Sequence, residues 1–200
     1  GDAGANGNGD QTYRIGINQL VQHPALDSAT EGFKQAFADA GVDTADYVDA
    51  LFGDYILEGK SYGLPFARST PLFFYNKPRW DEAGLPDRGP ESWDEFMEWA
   101  PAIQKAIGDG KHAIAMYDGS NYLDWTMQNM IWDDGGAYSR EWDATFTDAD
   151  TIAGVERLKQ INDDGYLVVS ADSITEFASG LAACAMASTG SLKTATENAQ

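Results

Sequence analysis

Catalysis needs functional groups that can converge, and this chain offers few. His23 and His112 stand in separate segments, no serine occupies a nucleophile elbow, and no Cys/His cluster has metal-ligand spacing. The carboxylate pairs Asp133-Asp134 and Asp163-Asp164 are adjacent in sequence and read as solvated surface rather than acid/base partners. None of the acidic runs follows the spacing of an EF-hand loop. The expectation is therefore no catalytic residue, no metal ligand and no cofactor. What the residues do offer is non-covalent: Arg68-Ser69-Thr70 is a polar knuckle between a Pro-containing turn and the aromatic-rich run Leu72-Phe73-Phe74-Tyr75. Such a knuckle presents hydroxyls and backbone amides to a ligand, and equally fits an ordinary buried strand preceded by a polar turn.

The elements that must position these groups are legible from periodicity. Tyr13 to Ile17 alternates as a strand, Asn18 to Pro24 is a loop containing His23, and helical spacing runs from about Leu26 to Ala40, stopping at Gly41. Residues 13–44 are thus expected to be one βα unit, after a disordered spacer over 1–12 that lacks large apolar residues. Asp46 to Leu51 predicts a short helix, and Glu58 to Gly63 a turn feeding a strand. A helix carrying Trp80 ends near Gly84. Ser92 and Glu95 have capping-box spacing for a helix through Phe96, Met97, Ala100, Ile103 and Ile107 to Gly108. Ala113 to Tyr117 reads as a buried strand, Asp118 to Asn121 as its loop, and Tyr122 to Trp132 as a helix ended by Gly135-Gly136. Ala149 to Asp163 is an amphipathic helix with Val155, Leu158 and Ile161 on one face, Ser173 to Phe177 a shorter one, and Ala182 to Ala187 a buried strand. Ser188-Thr189-Gly190-Ser191 is a small-residue loop before a final helix.

Composition narrows the class of partner. Among 200 residues, 32 Asp and Glu face 13 Lys and Arg, a net charge of -19, which repels phosphate backbones and excludes nucleic acid as a partner. The acidic residues are dispersed, as on a solvated surface in an extracellular or salty setting. Cys184 is the only cysteine and lies in an apolar run, where a small core residue is expected rather than a reactive thiol. No stretch reaches the roughly 20 apolar residues needed to span a bilayer. The opening GDAGANGNGD carries no signal peptide and fits the spacer after a processed lipoprotein cysteine.

Two resemblances follow. YRIGINQLVQHPALDSATEGFKQAFADAGVD, residues 13–43, resembles the start of ABC-transporter solute-binding proteins of the tryptophan and tyrosine type. GKSYGLPFARSTPLFFYNK, AGLPDRGPESWDEF, YLDWTMQNMIWDDGG and FASGLAACAMASTGSL, in that order, resemble the family 1 extracellular solute-binding proteins of ABC importers, over roughly residues 46–200. The second likeness is nearest to glycerol-phosphate and oligosaccharide receptors. It implies an α/β fold of the type II periplasmic-binding-protein kind, incomplete relative to the usual two-lobed receptor, with 45–200 mainly from the second lobe.

By the same likeness, Ser69 and Thr70 correspond to a crossover segment that contacts ligand. Trp125 corresponds to an aromatic that stacks on a sugar or glycerol moiety, and Ser188, Thr189, Gly190 and Ser191 to a loop holding polar ligand groups; Tyr122 and Asp118 complete the candidate set. By residue type alone, Trp125 also fits a core tryptophan and the loop a helix N-cap. The implied function is an extracellular or periplasmic receptor, anchored as a lipoprotein. It would be a monomer that binds a sugar, polyol or phosphorylated polyol without chemistry and delivers it to a membrane ABC permease. The alternatives are an amino-acid-type receptor, and a truncated or chimeric scaffold without a ligand.

Overall fold

The run Pro71-Leu72-Phe73-Phe74-Tyr75 alternates its rings between two faces, as a strand's period of two requires, and forms a strand of the main sheet. The computed structural model describes residues 28, 31–32, 48–61, 65 and 67–198. The predicted spacer, the strand Tyr13–Ile17 and the loop with His23 lie outside these; Ser28, Glu31 and Gly32, within the predicted first helix, are helical. The chain divides into two compact units, Gly1–Phe66 and Ala67–Gln200.

In the first unit, α1 (Asp49–Phe52) leads through a 3-10 turn to the antiparallel pair β1 (Ile56–Leu57) and β2 (Lys60–Ser61). Glu58 and Gly59 close the hairpin at φ 50° and 74°. Two successive residues in the left-handed region match the right-handed twist of a two-residue hairpin, and Gly59 adopts it without steric cost.

The second unit contains, in order, β3 (Pro71–Tyr75), α2 (Lys77–Glu82), α3 (Trp93–Ile107), β4 (His112–Tyr117), α4 (Leu123–Asp133), the hairpin strands β5 (Ser139–Arg140) and β6 (Asp143–Ala144), α5 (Ala149–Asp163), β7 (Leu167–Ser170), α6 (Ser173–Ala178), β8 (Ala182–Ser188) and α7 (Leu192–Asn198). The sheet order is β3-β8-β4-β7, with β8, β4 and β7 parallel and β3 antiparallel to β8. From Cys184 onward β8 sends Cys184 and Met186 to one face and Ala185 and Ala187 to the other. The first face is covered by Trp93, Phe96, Ala100, Ile103 and Ile107 of α3 and Met130 of α4, together with Trp80 of α2. The second is covered by Ile174 and Phe177 of α6 and Ala195 of α7. Helices on both faces explain why the central strands read as continuous apolar runs.

Three sequence readings change. Among the described residues the run Leu72–Tyr75 is an edge strand rather than a buried one: only β8 pairs with it, and Leu72 is exposed. On α5 the buried face is Thr151, Gly154 and Ile161, while Val155 is exposed, because α5 packs on α4 through Gly154 rather than through a bulky side chain. The capping box is half formed. Ser92 Oγ accepts from Glu95 N–H at 3.2 Å, but the Glu95 carboxylate accepts from Glu91 N–H and grips Arg88 through two contacts of 2.7 Å. A carboxylate with a bidentate guanidinium in reach takes the stronger, charge-assisted partner. Those hydrogen bonds hold the Glu95 carboxyl down to about 2, below the ordinary carboxylate range.

Candidate functional site

Strand register decides which loops meet. Pro71 lies opposite Ser188, Ala185 is level with Ala115, and Tyr117 is level with Ser170. The carboxyl ends of β8, β4 and β7 therefore share one edge of the sheet, and the knuckle preceding β3 arrives at the same edge because β3 runs the other way. Ligands of open α/β sheets bind outside the carboxyl ends of the strands.

At this edge Ser69-Thr70 and the Ser188–Ser191 loop are brought together. Thr189 N–H donates to the Thr70 carbonyl at 3.0 Å, and Thr70 N–H reaches Thr189 Oγ1 at 3.5 Å. Ser188 Oγ accepts from Gly190 N–H at 3.1 Å, capping the 3-10 turn Thr189–Ser191, so the N-cap role is real and its hydroxyl proton is still available to donate. The hydroxyls of Ser69 and Ser191 make no hydrogen bond to any described residue. Ser69, Thr70 and Gly190 are exposed, and Ser188, Thr189 and Ser191 half-buried.

From β4 comes the aromatic side. Asp118 follows Tyr117 and spends one oxygen on a turn, accepting from Ser120 N–H at 3.0 Å and Ser120 O–H at 2.6 Å, so its first task is to shape the loop. Tyr122 then starts α4, its ring edge-on to Tyr117 at 5.4 Å and to Trp125 at 6.0 Å. Tyr122 also packs on the cluster containing Ala187, next to Ser188. Trp125 is half-buried at the first turn of α4. A half-buried indole leaves part of its ring surface for contact with C–H groups.

Sequence reasoning missed β7, although Leu167-Val168-Val169 after Gly165 is a β-branched strand signal. With it went Ser170 to Asp172, which end β7 at this same edge. Asn121 Nδ2 donates to the Ala171 carbonyl at 2.8 Å, tying the β4 loop to the β7 loop, and Asp172 accepts from Thr175 O–H at 2.7 Å at the start of α6. The edge is thus furnished with hydroxyls, amides and two carboxylates, a set suited to holding a polar solute by hydrogen bonds.

A four-stranded mixed sheet between helical layers, with its polar loops gathered at the carboxyl edge, defines the class: the α/β fold of type II periplasmic binding proteins. The family model for bacterial extracellular solute-binding proteins matches residues 5–200, and the chain belongs to that family. The single match takes in residues 13–43 as well as the later motifs. Among solved structures, UgpB from Mycobacterium tuberculosis in complex with glycerophosphocholine superposes with TM-score 0.75 at 45% identity, covering 87% of this chain and 47% of that one. The GacH receptor of Streptomyces glaucescens, at 21% identity, TM-score 0.64 and coverages of 78% and 40%, shares the fold. The sn-glycerol-3-phosphate-binding periplasmic protein UgpB of Salmonella typhimurium is 26% identical over 194 residues, 91% of this chain and 43% of that protein. The chain spans less than half the length of these relatives.

Proposed function

We propose that the chain is part of an ABC-importer receptor that binds a small hydroxyl-rich solute without chemistry, and that the solute is a glycerophosphodiester such as glycerophosphocholine in preference to a sugar or free polyol. The carrying observation is the convergence of Ser69-Thr70 with Ser188–Ser191 at the carboxyl edge, where the β4 loop also leads to Tyr122 and Trp125. The choice among solutes is supported by the glycerophosphocholine held by the 45% identical UgpB. In this reading Trp125 stacks on the glycerol or headgroup carbons, with Tyr122 bracing it. Ser69, Thr70, Ser188, Thr189, Gly190 and Ser191 supply donors and acceptors to phosphate and hydroxyl oxygens, and Asp118 shapes the loop and offers a carboxylate to a cationic headgroup. Residues 13–44 belong to a first lobe and 45–200 mainly to a second. The receptor acts outside the cytoplasmic membrane as a monomeric lipoprotein that hands its solute to a permease.

Thermal denaturation with glycerophosphocholine, glycerol 3-phosphate and maltose tests the reading. A ligand of the native state adds about 2.7 kcal/mol at a hundred times its Kd, so the diester is expected to raise Tm most. Trp125→Ala is expected to weaken its binding roughly tenfold by calorimetry, the worth of one aromatic stack. No Tm shift across the panel, or undiminished binding by the variant, overturns the proposal.

A further inference from the structure

On the face of the sheet that carries α3 and α4 lies a cavity of about 420 Å³ that the solute reading leaves unused. Its volume falls within the range of small-molecule pockets. Aromatic walls are supplied by Phe73, Trp93 and Trp132. Trp132 is 59% exposed, although the preceding residue, Ile131, is fully buried. Its indole therefore faces outward at the cavity rim and contributes little to the core.

The polar groups there are asymmetric in charge. Trp93 donates its indole N–H to Asn129 Oδ1 at 2.8 Å and its backbone N–H to Asp133 Oδ2 at 3.0 Å. The Asp133 carboxylate is thus fixed at the wall with Oδ1 left to accept. Glu91 adds a second carboxylate, with Arg88 Nε 3.7 Å from it but outside the lining. The lining contains two carboxylates and no Lys, Arg or His.

Aromatic faces attract cations through the ring quadrupole, fixed carboxylates add Coulombic attraction and repel anions, and a net charge of -19 concentrates cations near the surface. A neutral apolar guest would gain nothing from the carboxylates, and an anion would be rejected by them. We propose that this cavity binds a small organic cation, a quaternary ammonium or protonated amine, with Trp132 as the ring over which the cation sits and Asp133 as its counter-charge. The cavity borders the carboxyl edge at Pro71, which pairs with Ser188, but its cation-binding groups, Trp132 and Asp133, stand at the far end of α4 from Trp125, and the proposal does not rest on the solute assigned to the edge.

The test is a titration of ¹⁵N-labelled protein with choline and with its neutral isostere 3,3-dimethylbutan-1-ol, following the six tryptophan indole N–H resonances by NMR. Choline is expected to shift the Trp93 and Trp132 signals saturably, and the isostere to bind at least roughly tenfold more weakly. Trp132→Ala, at an exposed position, should keep native circular dichroism and lose roughly tenfold in choline affinity. Asp133→Asn, which keeps the acceptor for Trp93, should weaken choline and leave the isostere unchanged. Choline is also a fragment of glycerophosphocholine, so Trp125→Ala separates the two sites: it should leave this binding intact. Absence of saturable shifts or equal affinity for the isostere overturns the proposal without bearing on glycerophosphodiester binding at the edge; loss of choline binding in Trp125→Ala in place of Trp132→Ala overturns it by assigning choline to the edge site.

Discussion

At the scale of single residues, the molecule separates groups that build from groups left available. Asp118 and Ser188 both have side-chain bonds that shape their own loops, whereas the hydroxyls of Ser69 and Ser191 are uncommitted among the described residues. Cys184 is an interior case. Its thiol is fully buried in β8 and donates to the Ala113 carbonyl at 3.1 Å, and burial pushes its pKa well up. Since the thiolate is the reactive form, a thiol reagent should modify the native protein at least roughly a hundredfold more slowly than the protein in denaturant, by absorbance of the released chromophore. Comparable rates would place Cys184 at an accessible position.

Between elements, the α4–α5 contact is set by glycine. A Cβ on Gly154 would lie 2.6 Å from Ile131 Cα and 2.8 Å from Ile131 N, and one on Gly136 would lie 2.6 Å from Thr151 N. These are backbone atoms of the neighbouring helix, so no rotamer change relieves the overlap. Gly154→Ala should therefore destabilise by about 1–3 kcal/mol, read as a lower urea midpoint with an unchanged m-value. An unchanged midpoint would mean the helices part without loss. The same helix pair is clamped by Arg157, whose guanidinium reaches Asp134 at 2.6 Å and also contacts Asp94 at the start of α3. Both carboxylates raise the Arg157 pKa, Asp134 the more strongly.

For the whole molecule, two charge effects oppose each other as pH falls. The net charge of -19 and the sequence pI near 4.1 mean that acidification from neutrality first relieves self-repulsion. The lowered carboxyl of Glu95 acts in the other direction: its bridge to Arg88 contributes fully above the ordinary value of 4.5 and is lost as pH falls through about 2. Asp87, drawn down by Lys77 and Tyr75, and Asp163, drawn down by Lys159, follow the same sign. The Tm is expected to rise from pH 7 toward about 5 and to fall below about 4.5. Glu95→Gln should lower Tm at neutral pH and flatten the acid limb, as followed by circular dichroism. An acid limb identical to the parent's would remove Glu95 from that role.

Most elements of the second unit were legible because periodicity, caps and glycine stops agree locally: α5 spans the residues the pattern predicts, and Asn76 and Ser92 cap their helices through side-chain oxygens. The short β7 and the two-residue strands of the β5–β6 hairpin escaped, since runs so brief carry little periodic signal. The sequence by itself determined most element types of the second unit, the acidic charge and, through ordered motifs, the receptor family. Only the tertiary structure decided what meets what. Pairing of Pro71 with Ser188, 117 residues apart, follows from sheet register, and local pattern does not encode which strands become neighbours. That register gathers the knuckle, the Ser188–Ser191 loop and the β4 and β7 loops at one edge, and chain folding alone sets Trp93 and Asp133 against each other across 40 positions.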